Sequence, residues 1–152
     1  MRVLAILLTL MGISPGDDVR YFPSILYGHI LVGSGSSRYN TTFVVTAKKD
    51  TRASLILFTD GGEPMKARFV DEAGNIANSG DSFDFWLSGG RPIQLRLELT
   101  EEDEKEQVVV KTGWATLRSL EEIDVTAIVR ITTPDGKIIT RHVLSSEKPP
   151  TG

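Results

Sequence analysis

The sequence predicts an all-β protein, an antiparallel β-sandwich of about eight or nine strands, and three observations predict it. Val, Ile and Thr supply 38 of the 152 residues whereas Ala occurs 8 times. That balance favours pleated, half-buried surfaces over helices. Apolar and polar residues alternate with a period of two in several segments, and no segment carries a convincing amphipathic helical stripe. Turn-forming clusters of Gly, Asn, Asp and Pro recur about every 8 to 12 residues. A barrel is the other architecture that this strand pattern allows. The length is that of a single domain.

The first segment reads as an export signal. Met1 and Arg2 give a positive start, Val3 to Ile13 is an apolar run, and Ser14-Pro15-Gly16 offers small residues for cleavage before Asp17 and Asp18. The run is too short for a membrane helix, which needs about 20 apolar residues. The expected division is a signal peptide over 1–16, a β-domain over 17–144 and a frayed tail over 145–152. The expected location is secreted or periplasmic. A buried first strand is the competing reading of residues 3–13.

Within the domain, Tyr21 to Val32 is an apolar segment interrupted by Pro23, which removes a ladder donor and suits an edge or a strand start. Gly33 to Ser37 reads as a loop. It lacks the Lys-Ser/Thr pair and following helix of a phosphate cradle. Arg38 to Ala47 alternates as a strand, and Ala53 to Phe58 is a continuous apolar run suited to a central strand. Thr59-Asp60-Gly61-Gly62-Glu63-Pro64 is a hairpin signal, after which Met65 to Val70 leads back. Asp71 to Asn75 is a turn, and the stretch on to Asp81 reads as a polar loop. Phe83, Phe85 and Leu87 alternate with Asp84 and Trp86. The clearest strand places Ile93, Leu95, Leu97 and Leu99 on one face. Gln107 to Ser119 reads as strand despite the helical spacing of Trp114, Leu117 and Leu120. Ile123 to Ile131 alternates again. Thr133-Pro134-Asp135-Gly136 makes a tight turn into the closing strand, Lys137 to Leu144. The predicted inward set is Phe43, Val45, Leu55, Leu57, Phe83, Phe85, Leu95, Leu97, Trp114, Val125, Ala127 and Val129.

Two stretches resemble an immunoglobulin-like β-sandwich module common in secreted bacterial proteins. One runs from the Gly33–Gly35 loop through Tyr39-Asn40-Thr41-Thr42-Phe43-Val44-Val45 to Leu55-Ile56-Leu57-Phe58-Thr59-Asp60-Gly61. The other holds Gly113-Trp114-Ala115-Thr116-Leu117-Arg118-Ser119, then Val125 to Arg130 and Pro134-Asp135-Gly136. The Tyr21-Phe22-Pro23 start is also similar. The resemblance implies an immunoglobulin-like sandwich with Trp114 in its core. It implies no activity and assigns no functional residue. The sequence departs from the module at residues 71–81 and 101–106, where a private function would lie.

Composition narrows the chemistry. The absence of cysteine excludes disulfides, thiol catalysis and Cys-ligated zinc, and two histidines, His29 and His142, cannot build a three-histidine metal site. Net charge is −3, and Glu101 to Glu106 alone carries −4. With no basic stripe, nucleic acid and anionic membrane surfaces are not expected partners. The acidic run reads as a solvated hairpin tip. Asp71, Glu72, Asn75 and Asp81 form a candidate site for structural calcium, although Asp and Asn are also default turn residues. No other cofactor is expected. Asp81 with Asp84, or Asp60 with Glu63, would be the acid and base of a small carboxylate-dependent hydrolase if they faced each other across a cleft. Asn40-Thr41-Thr42 is a glycosylation sequon that a strand would use for pairing instead.

The favoured function is a non-enzymatic module that binds a glycan or a protein surface, with a passive spacer as the structural alternative. Trp86 falls on the face opposite Phe83, Phe85 and Leu87, beside Asp84, as sugar stacking requires; Tyr39 and Arg38 extend that face if their strand is a neighbour. Burial of both faces of this strand is the competing reading. The export reading carries its own test: N-terminal sequencing of secreted protein is expected to begin at Asp17, and an intact Met1 form retained in the cytoplasm would refute it.

Overall fold

The computed structural model describes residues 17–143 and 145; the proposed export segment and nearly all of the tail lie outside the described residues. The fold is all-β, with ten antiparallel strands: β1 (Asp18–Val32), β2 (Gly35–Ala47), β3 (Thr51–Thr59), β4 (Ala67–Val70), β5 (Ile76–Gly80), β6 (Ser82–Leu87), β7 (Ile93–Glu98), β8 (Val108–Ser119), β9 (Ile123–Thr132) and β10 (Ile138–Val143). They form one sheet in the order β5-β4-β7-β2-β1-β8-β3-β6, with β9 on the other edge of β2 and β10 beyond β9. Only Asp81 separates β5 from β6, so the two ends of this order meet and the sheet wraps almost into a barrel. The Leu57 amide bonds the Asp81 carbonyl, and Asn78 Nδ2 donates to the Ser82 carbonyl at the same seam.

The wrapping begins at a fork. One edge of β2 pairs with β9 from Arg38 to Ala47. Its other edge pairs first with β1, as far as Tyr39, and then with β7, from Thr42 to Val45. At the changeover the side chains of Asn40 and Thr41 replace the missing ladder bonds. Thr41 Oγ1 accepts from the Leu26 amide at 2.9 Å and donates to the Leu26 carbonyl at 2.7 Å. Asn40 Nδ2 donates to the Leu97 carbonyl at 2.9 Å. The sequon is thus spent on the fork. From here β1 leaves to join β8, β3 and β6 in one flank, while β7, β4 and β5 remain with β2 in the other. The bottom of the gap is bridged by Asp18, whose carboxylate accepts the Ile123 amide, and by Arg20, which donates to the Ile123 carbonyl.

The core lies between the flanks. Phe22, Phe43, Leu55, Leu57, Phe69, Leu97 and Leu117 are fully buried, each contributing about 1.5–3 kcal/mol by removal from water. Two-residue alternation therefore assigns the inner face correctly at Phe43, Val45, Leu55, Leu57, Phe85, Leu95, Leu97, Ala127 and Val129; Phe83 and Val125 are half-buried against the same core. Trp114 is a correction. In β8 the buried positions are Gly113, Ala115, Leu117 and Ser119, so Trp114 points outward.

Other expectations need adjusting. The 76–80 stretch is not loop but strand β5, hidden from periodicity because both its faces are polar or exposed. Gly35 to Ser37 belongs to β2 rather than to a loop. Thr59 to Pro64 reverses the chain, yet β4 does not pair with β3; a single bridge, Phe58 to Pro64, joins them before β4 crosses to the other flank. Pro23 acts as expected: the β1–β8 register shifts between Phe22 and Ile25, and Pro23 with Ser24 is exposed there.

The fork supplies the first structural prediction. Thr41→Val keeps the side-chain shape but leaves the buried Leu26 amide and carbonyl without partners, and is expected to cost about 2 kcal/mol in urea unfolding. Leu97→Ala, by comparison, is expected to cost about 2–5 kcal/mol through its cavity.

Candidate functional site

Strand β6 builds the site. Its inner residues Phe85 and Leu87 fix the strand's facing, which turns Asp84 and Trp86 outward. Trp86 is 57% exposed, among the most exposed large apolar side chains of the described residues. Across the ladder Trp86 lies opposite Arg52, and Asp84 lies opposite Ser54, whose hydroxyl donates to Asp84 Oδ1 at 2.6 Å.

The face continues across β3 and β8. Ser54 pairs with Arg118, Ile56 with Thr116, and Phe58 with Trp114. Phe58 and Trp114 stack outside the sheet, with ring centroids 4.2 Å apart and planes 16° apart. Gly113 permits this arrangement: a Cβ there would overlap the Phe58 carbonyl and press on Met65. The Gly113-Trp114-Ala115 triplet therefore meets three separate demands, namely close backbone approach, an outward ring and a small inward side chain.

Beyond Trp114 the same side of β8 runs into a groove of about 530 Å³ between the β3–β4 link, Thr100–Asp103 and β8. Thr112 lines it and donates to Asp60 Oδ2 at 2.9 Å. Behind the groove, buried Tyr27 donates its hydroxyl to the Lys66 carbonyl at 2.6 Å. Burial first, and then the nearby Asp103 charge, push the phenol pKa well above its usual value. From Arg118 to Val110 the face spans about 26 Å at the rise of a strand. It is an elongated strip of rings, hydroxyls and guanidinium groups. Such a strip can stack on a ligand and hydrogen-bond to it.

The other predicted site residues fall elsewhere. Arg38 and Tyr39 lie on β2, separated from β6 by β1, β8 and β3, so they do not extend the Trp86 face. Asp71, Glu72 and Asn75 share the β4–β5 turn, where Asp71 Oδ1 accepts the Asn75 amide. Asp81 stands at the opposite end of that hairpin, so the four proposed calcium ligands are not brought together. Among the described residues no group of three or more His, Cys, Asp or Glu side chains is placed to hold a metal ion. Asp60 and Glu63 are exposed in the β3–β4 link, and Asp84 is engaged by Ser54.

The acidic run is not a hairpin tip. It crosses from β7 to β8 and contains a short 3-10 turn, Asp103–Lys105. Thr100 accepts the Asp103 and Glu104 amides, Arg68 pairs with Glu104 at 2.8 Å, and Lys111 approaches Asp103 at 3.6 Å. His29, only 3% exposed, donates from Nε2 to the Glu106 carbonyl at 2.7 Å. His142 is exposed on β10. Sequence reasoning missed the Phe58–Trp114 pair; the polar partners Ser54, Thr116 and Arg118 at the intervening positions were the available signal for an outward face. The chain matches no protein-family model and no curated protein sequence.

Two outcomes test this geometry. Gly113→Ala is expected to cost about 1–3 kcal/mol in chemical denaturation, the usual price of overpacking. Tyr27→Phe is expected to cost about 1 kcal/mol at neutral pH. In the wild type, the Tyr27 contribution is full and independent of pH while the phenol is neutral in both states. Above pH of about 10 the unfolded phenol ionises and the folded one resists, so stability falls. Tyr27→Phe removes that share of the alkaline loss, measured as a flatter melting-temperature profile above that pH.

Proposed function

We propose that this chain is a non-catalytic contact module of an exported protein, secreted or periplasmic, and that its ligand is a glycan chain lying along the outer face of β6, β3 and β8. In this reading the two flanks are the two sheets of an immunoglobulin-like sandwich joined through β1 and β2. The observation that carries the proposal is Trp86, 57% exposed on a strand whose inner residues are buried. An exposed indole on a rigid strand presents a flat apolar surface at little entropic cost. Arg52, Ser54 and Asp84 supply hydrogen-bonding groups beside it, as a polar ring-shaped ligand requires. The elongated outline suits a linear chain better than a small molecule.

A protein surface is the second reading, favoured by the half-buried apolar row of Ile56, Phe58 and Trp114 along the same face. A hydrolase would need two facing carboxylates, and Asp84 already accepts the Ser54 hydroxyl. A passive spacer gives no account of an exposed tryptophan.

A glycan array followed by thermal-shift titration tests the proposal, because a ligand that binds the native state raises the melting temperature. Trp86→Ala is expected to lower glycan affinity about tenfold or more with little change in unliganded stability. Loss of the fold in Trp86→Ala, or no glycan raising the melting temperature, would overturn the site. Binding to a protein but to no glycan would favour the second reading.

A further inference from the structure

Strand β10 has a free edge. It pairs with β9 alone, from Ile138 opposite Thr132 to Val143 opposite Ala127, and among the described residues no strand occupies its other side. Every residue from Ile138 to His142 is exposed, with Ile138 at 59% and Ile139 at 53% on opposite faces. An edge of this kind presents a row of unmatched amides and carbonyls. Proteins usually blunt such edges with proline, bulges or inward charges. This chain does so elsewhere, at the Pro23 bulge of β1. Between Ile138 and Val143 there is neither proline nor a register shift, and the one charge on the side of buried Val129, Arg141, is itself exposed.

The charge on this hairpin selects the occupant. The paired segments Ala127–Thr132 and Ile138–Val143 contain Arg130, Arg141 and His142 and no carboxylate, in a chain whose net charge is −3. Lys137 precedes β10 on the same face as Ile139 and Arg141. The nearest carboxylate, Asp135, lies in the turn, where it accepts the Thr133 hydroxyl and the Lys137 amide and stands 4.0 Å from Lys137 Nζ. A second copy fits poorly. Antiparallel pairing of two β10 strands about Thr140 would set Lys137 and Arg141 diagonal to the same cations of the other copy, which is unfavourable.

We infer that the outer edge of β10 is a strand-addition site for an extended segment of another protein in which acidic residues alternate with apolar ones. Ladder bonds to the free edge supply affinity, and Lys137 and Arg141, which share one face of β10, select acidic side chains. This site is distinct from the Trp86 face and does not depend on a glycan ligand.

The test uses fluorescein-labelled octapeptides and fluorescence anisotropy on the whole chain. An alternating Glu-Val peptide is expected to bind. Alternating Glu-Pro, which keeps the charge but cannot form a ladder, and alternating Lys-Val are expected to bind at least about tenfold more weakly. Arg141→Glu is expected to weaken the Glu-Val peptide and strengthen the Lys-Val peptide, whereas Trp86→Ala is expected to leave both unchanged. Circular dichroism checks that Arg141→Glu is folded, and Lys137→Glu, on the same face, replaces it if it is not. Equal binding of the Glu-Pro and Glu-Val peptides would overturn strand addition. Indifference to Arg141→Glu and Lys137→Glu would overturn the assignment to β10. Binding to phosphatidylserine-containing vesicles without binding to the Glu-Val peptide would assign the cations to a lipid surface instead. Self-association in sedimentation that is abolished by Arg141→Glu would make a second copy the occupant.

Discussion

The architecture depends on the hydroxyl of Thr41. Where β1 parts from β2, two backbone groups of Leu26 lose their ladder partners inside the protein, and Thr41 Oγ1 satisfies both. An unsatisfied buried amide or carbonyl costs about 1–3 kcal/mol, so a fork without this side chain would lose a sizeable part of a domain's net stability. Asn40 performs the matching service for β7 at Leu97. Two adjacent polar residues thereby let one strand serve two successive partners along a single edge. The core between the flanks follows from that divergence, because Phe22, Ile25 and Tyr27 travel with β1 while Phe43 and Val45 stay with β2.

The same divergence exposes two outer faces of different character. On β7 and β2 the outward residues include Gln94, Arg96, Glu98, Thr42 and Thr46, and Arg96 pairs with Glu98 at 2.7 Å. That is ordinary solvated surface. On β3 and β8 the outward residues include Ile56, Phe58 and Trp114, and Trp86 lies on β6 level with Arg52, about 20 Å from Phe58 along β3. Val44 is the half-buried apolar exception on β2, whereas Ile56, Phe58 and Trp114 make a continuous apolar row on the other face. The crossing from β7 to β8 separates the two: Arg68, Lys111 and His29 hold the acidic run over that end of the barrel.

Much of this fold was legible where one physical rule acted alone. Residues 93–99 and 123–131 alternate because one face of each strand meets the core and the other meets water, and the structure follows them residue by residue. The Pro134-Asp135-Gly136 turn was legible because it needs only local chemistry. Failures came where a second constraint was long-range. Trp114 looks like a core residue until Phe58 is known to lie beside it, and sequence does not reveal which strands are neighbours. Arg38 and Tyr39 were linked to Trp86 on the same unknown adjacency. Strand β5 had no apolar face to announce it. The acidic run is exposed, as read, but it crosses from β7 to β8 rather than tipping a hairpin, and its partners Arg68 and His29 are far away in sequence. For the candidate site, alternation alone correctly turned Trp86 outward, but the extension along β3 and β8 required the register.

The Phe58–Trp114 pair shows why an outward aromatic need not be a defect. Stacked rings shield each other and gain roughly 0.5–1.5 kcal/mol beyond area burial, so both are half-buried without entering the core. Among the described residues Trp86 has no such ring partner, and it stays more than half exposed. The two tryptophans therefore hold different positions in the energetics of the folded chain. Trp114 is already covered by its own protein, and its removal would disturb Phe58 and the sheet beneath. Trp86 leaves more than half of its surface uncovered by the fold, so that part of the free energy its indole can gain from contact is still to be gained. That difference leaves Trp86, rather than the more deeply embedded Trp114, with the larger apolar surface open to contact.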